Sequence, residues 1–512
     1  MYLPFTILLP FVFTILSPYF VSLTHSKVAR LGISTTTRPT ETVFASADNS
    51  DLNFFYYHQN LDHSTFTPKS YQTFRQRYVI NAKHWAGSKA NAPILAFLGE
   101  EASIESDLYV SFFQDNGPRL KALLVYVEHR YYGKSVPFGS AEEALKNAST
   151  LGYLNAAQAL ADYAAILMHV KEKYSAKHSP IIVVGGSYGG MLAAWFRLKY
   201  PHIALGALAS SAPLLYFEDT RPKFGYYHII TKVFKETSKR CYKTIRKSWK
   251  EIDRVAAKSN GLLILSKKFK TCAYVKPYFD IKDFLDSIYA ESVQFNGNPG
   301  DWVATLCNAI DNPPNRKNYV LDRIFAGVVA YFGNQSCYDT DLVIQPSNNA
   351  IAWSWQACKL WVIKHIHKLM GCSEIVIPIG HDKHDTMFQT APFNMTSFID
   401  DCKSKYGVSP RPHWITTYFG IQDIKLILRR FGSNIIFSNG LADPYSVGGV
   451  LEDVSDSIVA IKTLKAGTHS QDLSTRRKDD PEWLVMQREK EIKIIESWIS
   501  TYQKDLRGLN MS

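Results

Sequence analysis

Cysteine is missing from the first 240 residues and the last 110 of this 512-residue chain; all seven lie between Cys241 and Cys402. That confinement points to one disulfide-pinned region in an oxidising compartment, with one thiol left over by count. No paired C-x-x-C and no H-E-x-x-H occurs, so the usual zinc signatures are absent and neither a metal nor another cofactor is expected. There is no internal repeat and no low-complexity tract, which removes solenoid and disordered classes. The net charge of +12 comes without any RNA- or DNA-binding motif, so nucleic acid is not an expected partner. The basic run Lys239–Lys250 (KRCYKTIRKSWK) reads as a solvated helix face. Charge is also missing from the amino-terminal segment, where the first cation is Lys27. That segment reads as a secretory signal over residues 1–26, and Pro4, Pro10 and Pro18 argue against a retained membrane anchor.

With 46% apolar residues, the chain can bury a large core. After a Ser/Thr-rich linker or propeptide over 27–46, short β-branched runs recur: RYVIN (Arg77–Asn81), PILAFLG (Pro93–Gly99), LLVYVEHR (Leu123–Arg130), PIIVVGG (Pro180–Gly186) and LGALASSAP (Leu205–Pro213). The last four are continuously apolar, as strands buried on both faces of a parallel sheet are. Helical patterns over Ala156–Tyr174 and Met191–Tyr200 separate several of them, so the expected class is α/β. The alternation stops after Pro213 and resumes with NIIFSNG (Asn434–Gly440) and SIVAIKTL (Ser457–Leu464), followed by an amphipathic helix opened by Pro481. The expected organisation is a sheet domain over 47–215 and 410–512, interrupted by a mostly helical insertion over 216–409. Such an insertion fits a lid over the carboxyl edge of the sheet, where α/β sites lie. Sequons at Asn147, Asn334 and Asn394 suit a secreted, glycosylated chain.

IIVVGGSYGG, residues 181–190, runs a stiff strand into glycines around one serine. Gly185–Gly189 matches G-x-S-x-G, the elbow that projects a nucleophilic hydroxyl above an α/β-hydrolase sheet. The backbone N–H of Tyr188 is then one candidate oxyanion donor. A serine needs a base and an orienting carboxylate, which in this fold follow in the order acid, then histidine, at strand ends. The two strands after the insertion lead to Asp443 in NGLADPYSVGG and His469 in KAGTHSQDL. His129 precedes the serine, His202 sits just past the elbow helix, and His365, His367, His381 and His384 lie in the insertion, so these compete poorly.

Longer stretches then carry a likeness. EHRYYGKSVPFG (Glu128–Gly139), GGSYGGMLAAWFRLKYPH (Gly185–His202), GALASSAP (Gly206–Pro213) and NGLADPYSVGGV (Asn439–Val450) resemble the S28 serine peptidases. LDH (Leu61–His63), QALADYA (Gln158–Ala164) and PRPHWITTYFG (Pro410–Gly420) extend the resemblance over nearly all of the chain. It implies an α/β-hydrolase fold with an inserted, mainly helical, disulfide-bearing cap, cleavage after proline, and a triad of Ser187, Asp443 and His469. It places a proline pocket at Met191, Tyr445 and Ile377. Tyr445 stands where the family has tryptophan, and Ile377 where it has methionine. GEEA (Gly99–Ala102) replaces the GNEG of animal members, with Gly99 and Glu100 as candidates for the second oxyanion donor. Glu101 matches a family glutamate that reads equally as a structural ion pair or as a contact to a substrate terminus. Ser470 replaces the second histidine of a GAHH motif. The resemblance further implies Cys241–Cys307 and Cys272–Cys337 pairs, and Cys402 joined to either Cys358 or Cys372. A further pair of the animal carboxypeptidase is absent, with Lys223 and His381 in its place. KLWVIKHIHKLMGC, residues 359–372, interrupts the likeness as an insertion or a gene-model error.

The leading expectation is a secreted or lysosomal/vacuolar serine exopeptidase acting on short proline-containing peptides, carboxypeptidase mode before dipeptidyl peptidase mode. No stable membrane association is expected after signal removal, and a homodimer is left open. The rivals are a catalytically dead glycoprotein serving as a binding module, and an esterase on the same fold.

Overall fold

The computed structural model describes residues 51–511 apart from 66–67, 109, 218–222, 276–278, 298–299, 315–318, 341–346, 358–372 and 464–465. The proposed signal and linker, Cys358, Cys372 and the insertion at 359–372 lie outside the described residues.

Eight strands make one sheet: β1 (Asn53–Asn60), β2 (Thr73–Asn81), β3 (Ile94–Leu98), β4 (Leu123–Val127), β5 (Ile181–Gly186), β6 (Ala204–Ser210), β7 (Ile435–Gly440) and β8 (Ile458–Thr463). Their spatial order is β1-β2-β4-β3-β5-β6-β7-β8. β1 pairs antiparallel with β2, and β2 antiparallel with β4. All other pairings are parallel. β3, β4, β5 and β7 are buried at every position, which is why their sequences are apolar without alternation. This order, with a tight strand-to-helix turn after β5, is an α/β-hydrolase sheet carrying a helical insert.

Side chains on the two faces of the sheet enter separate cores. One core takes Leu95, Phe97, Tyr126, Val184 and Ile436, with Phe112 and Phe113 of helix Ser111–Leu120 and Ile492, Ile495 and Ile499 of helix Glu482–Met511. The other takes Ala96, Val125, Val183 and Ala207 with helices Ala156–Lys173 and Ser187–Lys199, and continues into the insert. Asn155 caps the first of these helices, its side chain accepting from Gln158 N at 3.0 Å.

Between β6 and β7 the chain forms helices Gly225–Thr237, Lys239–Ala256, Gly261–Lys268, Phe279–Gln294, Trp302–Asp311, Val320–Phe332, Asn348–Ala357 and Met395–Tyr406. The basic run is indeed one face of a helix. Lys239, Arg240, Lys243, Arg246, Lys247 and Lys250 are exposed, while Cys241, Tyr242, Ile245, Trp249 and Ile252 on the opposite face are buried. Disulfides join Cys241 to Cys307 and Cys272 to Cys337. Cys402 is buried and disulfide-bonded. Lys223 and His381, which stand in place of the missing pair, are neighbours, since Gly380 N–H donates to the Lys223 carbonyl at 3.0 Å. There His381 stacks on Phe388 at 4.9 Å and meets the Tyr227 ring at 3.8 Å.

Candidate active site

Ser187 opens the helix after β5 in a left-handed conformation, φ 54°. The helix therefore begins at the serine, four residues earlier than the sequence pattern suggests. A β-carbon at Gly185 would collide with the Gly189 carbonyl, and one at Gly190 would sit 2.6 Å from the Ser210 carbonyl oxygen. Glycine is thus required for the strand and helix to close on each other, and the strain at Ser187 is held by that packing.

Asp443 follows β7 and caps the short turn Pro444–Gly448, its Oδ1 accepting from Tyr445 N at 2.9 Å. Its Oδ2 lies 2.8 Å from Nδ1 of His469, which follows β8; both side chains are fully buried. The histidine loop is tied down on two sides. Ser470 N–H donates to Ser211 Oγ, just past β6, at 2.8 Å. His469 N–H donates to the Gln294 carbonyl at 3.0 Å, and Thr468 Oγ1 to the Asn296 carbonyl at 2.8 Å, both from the cap. Ser187, Asp443 and His469 therefore all emerge at the carboxyl edge of the parallel strands, where α/β sites form.

Of the pocket candidates, Met191, Ile377 and Tyr445 are all buried. The Tyr445 ring lies 5.4 Å from the His469 ring and 4.9 Å from Tyr226. Tyr216 closes the nest at 6.3 Å. Ile377 belongs to the segment that Gly380 ties to Lys223. Glu101 is buried, and its charge bears on the phenols of Tyr132, Tyr188 and Tyr445. It thus lies in the neighbourhood of both the elbow tyrosine and the pocket tyrosine.

One expectation needs correction. The Gly99 N–H donates to the Val127 carbonyl at 2.9 Å, extending the β3–β4 ladder, and is not available to an oxyanion. The amide of Glu100 remains the candidate beside that of Tyr188. Gly99 instead serves through its carbonyl, which accepts from Tyr163 Oη at 2.7 Å, and this bond anchors the loop. The three candidate glycosylation residues, Asn147, Asn334 and Asn394, are exposed.

Several buried groups near the elbow were given no role by the sequence reading. Gln356 of the cap donates Nε2–H to the Tyr188 phenol oxygen at 3.0 Å and accepts from Tyr132 Oη at 2.6 Å. His129 Nε2 lies 3.2 Å from the same phenol. Glu374 Oε1 accepts from Ala156 N at 2.6 Å, and burial pushes its carboxyl up to about 8. These contacts join residues more than 50 positions apart, so no local spacing announces them.

The family model described as Serine carboxypeptidase S28 matches residues 59–491. The chain belongs to the S28 serine peptidase family. It is accordingly a serine-type peptidase. Over 480 residues it is 34% identical to the lysosomal Pro-X carboxypeptidases of Pongo abelii and Homo sapiens, covering 91% of this chain and 92% of each relative. It is 30% identical over 472 residues to prolyl carboxy peptidase like protein 5 of Caenorhabditis elegans, covering 83% and 86%.

Three stretches of the S28 likeness meet in one buried cluster. Arg130 makes a two-pronged ion pair with Asp162, Nε–Oδ2 and Nη2–Oδ1 both 2.6 Å. His63 Nε2 sits 2.8 Å from the same Asp162 Oδ1, and Arg130 Nη1 donates to the Leu61 carbonyl at 2.8 Å. LDH, EHRYYG and QALADYA are thus parts of one interaction that locks β4's exit to helix Ala156–Lys173.

Proposed function

We propose that this chain is a serine exopeptidase that hydrolyses Pro-Xaa bonds near the ends of short peptides, in carboxypeptidase mode, within the secretory pathway or lysosome. Ser187 attacks the carbonyl carbon, and His469 takes the hydroxyl proton and returns it to the leaving amine. Asp443 holds the imidazole with Nδ1 protonated and stabilises the imidazolium. The N–H groups of Tyr188 and Glu100 receive the oxyanion.

The observation that carries the reading is the 2.8 Å His469–Asp443 contact, at the same sheet edge as a strained serine, in an S28 chain. Specificity for proline has a physical rationale in the tyrosine nest. Proline offers no N–H for strand-like pairing, so its ring must be held by apolar and aromatic surface. Tyr445, Tyr216 and Tyr226 supply such surface beside His469. The names of the mammalian relatives support the carboxypeptidase mode. Among the described residues no helix is long and apolar enough to cross a membrane.

The test is a panel of peptides with Pro-Xaa ends, free or blocked at either terminus, given to the wild-type protein and to Ser187→Ala. Release of the residue after a penultimate proline, lost on blocking the carboxyl end and in the variant, is the expected result. Cleavage that survives carboxyl blocking but not amino blocking would assign dipeptidyl peptidase mode. Ester turnover without prolyl cleavage would replace the reading with an esterase.

A further inference from the structure

Behind the elbow runs a chain of buried hydrogen bonds whose direction is fixed at every link. His129 Nδ1 lies 2.7 Å from the Arg130 carbonyl oxygen. A carbonyl only accepts, so Nδ1 carries the proton. Burial holds the imidazole down to about 4, so it is neutral above that pH and its Nε2 is an acceptor. The Tyr188 phenol, 3.2 Å away, must then donate to Nε2. Having spent its one proton, its oxygen accepts from Gln356 Nε2 at 3.0 Å. The Gln356 oxygen in turn accepts from Tyr132 Oη at 2.6 Å. Trp353, one turn before Gln356, packs on the Tyr188 ring at 5.4 Å. His129, Tyr132, Tyr188 and Gln356 are all almost wholly buried.

This chain joins three parts of the molecule: the loop after β4, the elbow helix and cap helix Asn348–Ala357. Its centre is the residue whose backbone N–H would face the oxyanion. We propose that Gln356 and His129 are positioning residues for acyl transfer, gripping the Tyr188 phenol so that seating of the cap sets the aim of the oxyanion donor. The inference rests on Ser187 being the nucleophile.

The physical reason is leverage. The phenol is anchored at its far end by two partners, which fixes the ring torsions and resists rotation of the Tyr188 peptide. Oxyanion stabilisation is steep in donor placement, and an error near 1 Å costs on the order of 100-fold in rate. The hydrogen bonds of this network involve none of the pocket candidates Met191, Tyr445 and Ile377, so loss of grip is expected to fall on kcat rather than on KM.

The test is a double-mutant cycle of Tyr188→Phe and Gln356→Met, with Tyr131→Phe as control. Tyr131 is an equally buried phenol whose hydroxyl donates to the Thr150 carbonyl, away from the elbow. Two readouts serve: steady-state kinetics on a Pro-Xaa peptide, and the rate of fluorophosphonate labelling of Ser187, which needs no particular substrate. Expected are falls of roughly 10- to 100-fold in kcat and in labelling rate for each single variant, with KM within about twofold. The double variant should be no worse than the worse single, and Tyr131→Phe should keep wild-type rates. Unchanged kcat, a change in KM alone, or equal loss in Tyr131→Phe overturns the inference while leaving the peptidase reading intact. Wild-type protein that takes up no fluorophosphonate at Ser187 overturns the functional reading and this inference with it.

Discussion

The sheet edge and the cap reach the same site by different means. At the edge, each candidate chemical group leaves the end of a strand: Ser187 after β5, Asp443 after β7, His469 after β8. Backbone ladders and the buried Arg130–Asp162 pair hold that frame. The cap is held by the Cys241–Cys307 and Cys272–Cys337 disulfides, a further disulfide at Cys402, and an aromatic cluster in which Trp249, Tyr227, His381 and Phe388 pack together. It offers the site two carbonyls, one amide and a ring: Gln294 and Asn296 to the histidine loop, Gln356 to the elbow tyrosine, and Tyr226 to Tyr445. The difference teaches that the candidate chemical groups are local to strand ends, while the contacts that hold them are shared with a distant insertion.

That division can be broken at several points. The largest effect belongs to the edge: Ser187→Ala should cut kcat about a millionfold, and Asp443→Asn about ten-thousandfold, with melting behaviour close to wild type. Loss of stability in step with activity would mean these groups are structural. Next comes the frame. Asp162→Ala strands a buried guanidinium and should cost about 3–5 kcal/mol in chemical denaturation. Opening the cap's Cys241–Cys307 bond by a double serine substitution should cost about 2–4 kcal/mol. If the cap places the site's groups, that variant slows labelling at Ser187 and prolyl turnover together; prolyl turnover lost at an unchanged labelling rate would mean that the cap acts on substrate alone.

The smallest expected effect is a pH dependence. Burial raises Glu374 from about 4.5 to about 8, and raises Asp472 and Glu491 too. Folding therefore favours the protonated forms. For Glu374 that stability is fully present below about 4.5 and is lost as pH rises through about 8. The melting temperature should fall by at least about 2 °C between pH 5 and pH 8.5, and Glu374→Gln should flatten part of that slope. A slope unchanged by the substitution would remove Glu374 from the account.

Much of the edge was legible in short windows. PILAFLG, LLVYVEHR, PIIVVGG and NIIFSNG coincide with β3, β4, β5 and β7 because strands buried on both faces must be apolar throughout. β1 escaped notice because NFFYYHQN is an edge strand with most side chains exposed, and its run is aromatic rather than the β-branched pattern that marks the buried strands. The elbow was legible because its geometry demands glycines. The donor role of Gly99 misread the chain because the sequence does not tell which amide of a loop is consumed by a ladder. The contacts of Gln356, Tyr132 and Glu374 were not legible because their partners lie over 160 residues away. The cap pairings of cysteine came from family likeness, not from spacing.

The most direct measurement is peptide mapping by mass spectrometry after fluorophosphonate treatment of the folded protein, alongside His469→Ala. The account predicts a single adduct on Ser187 in wild type and labelling slowed by orders of magnitude in the variant. An adduct on another residue, or equal labelling with and without the imidazole of His469, would contradict it.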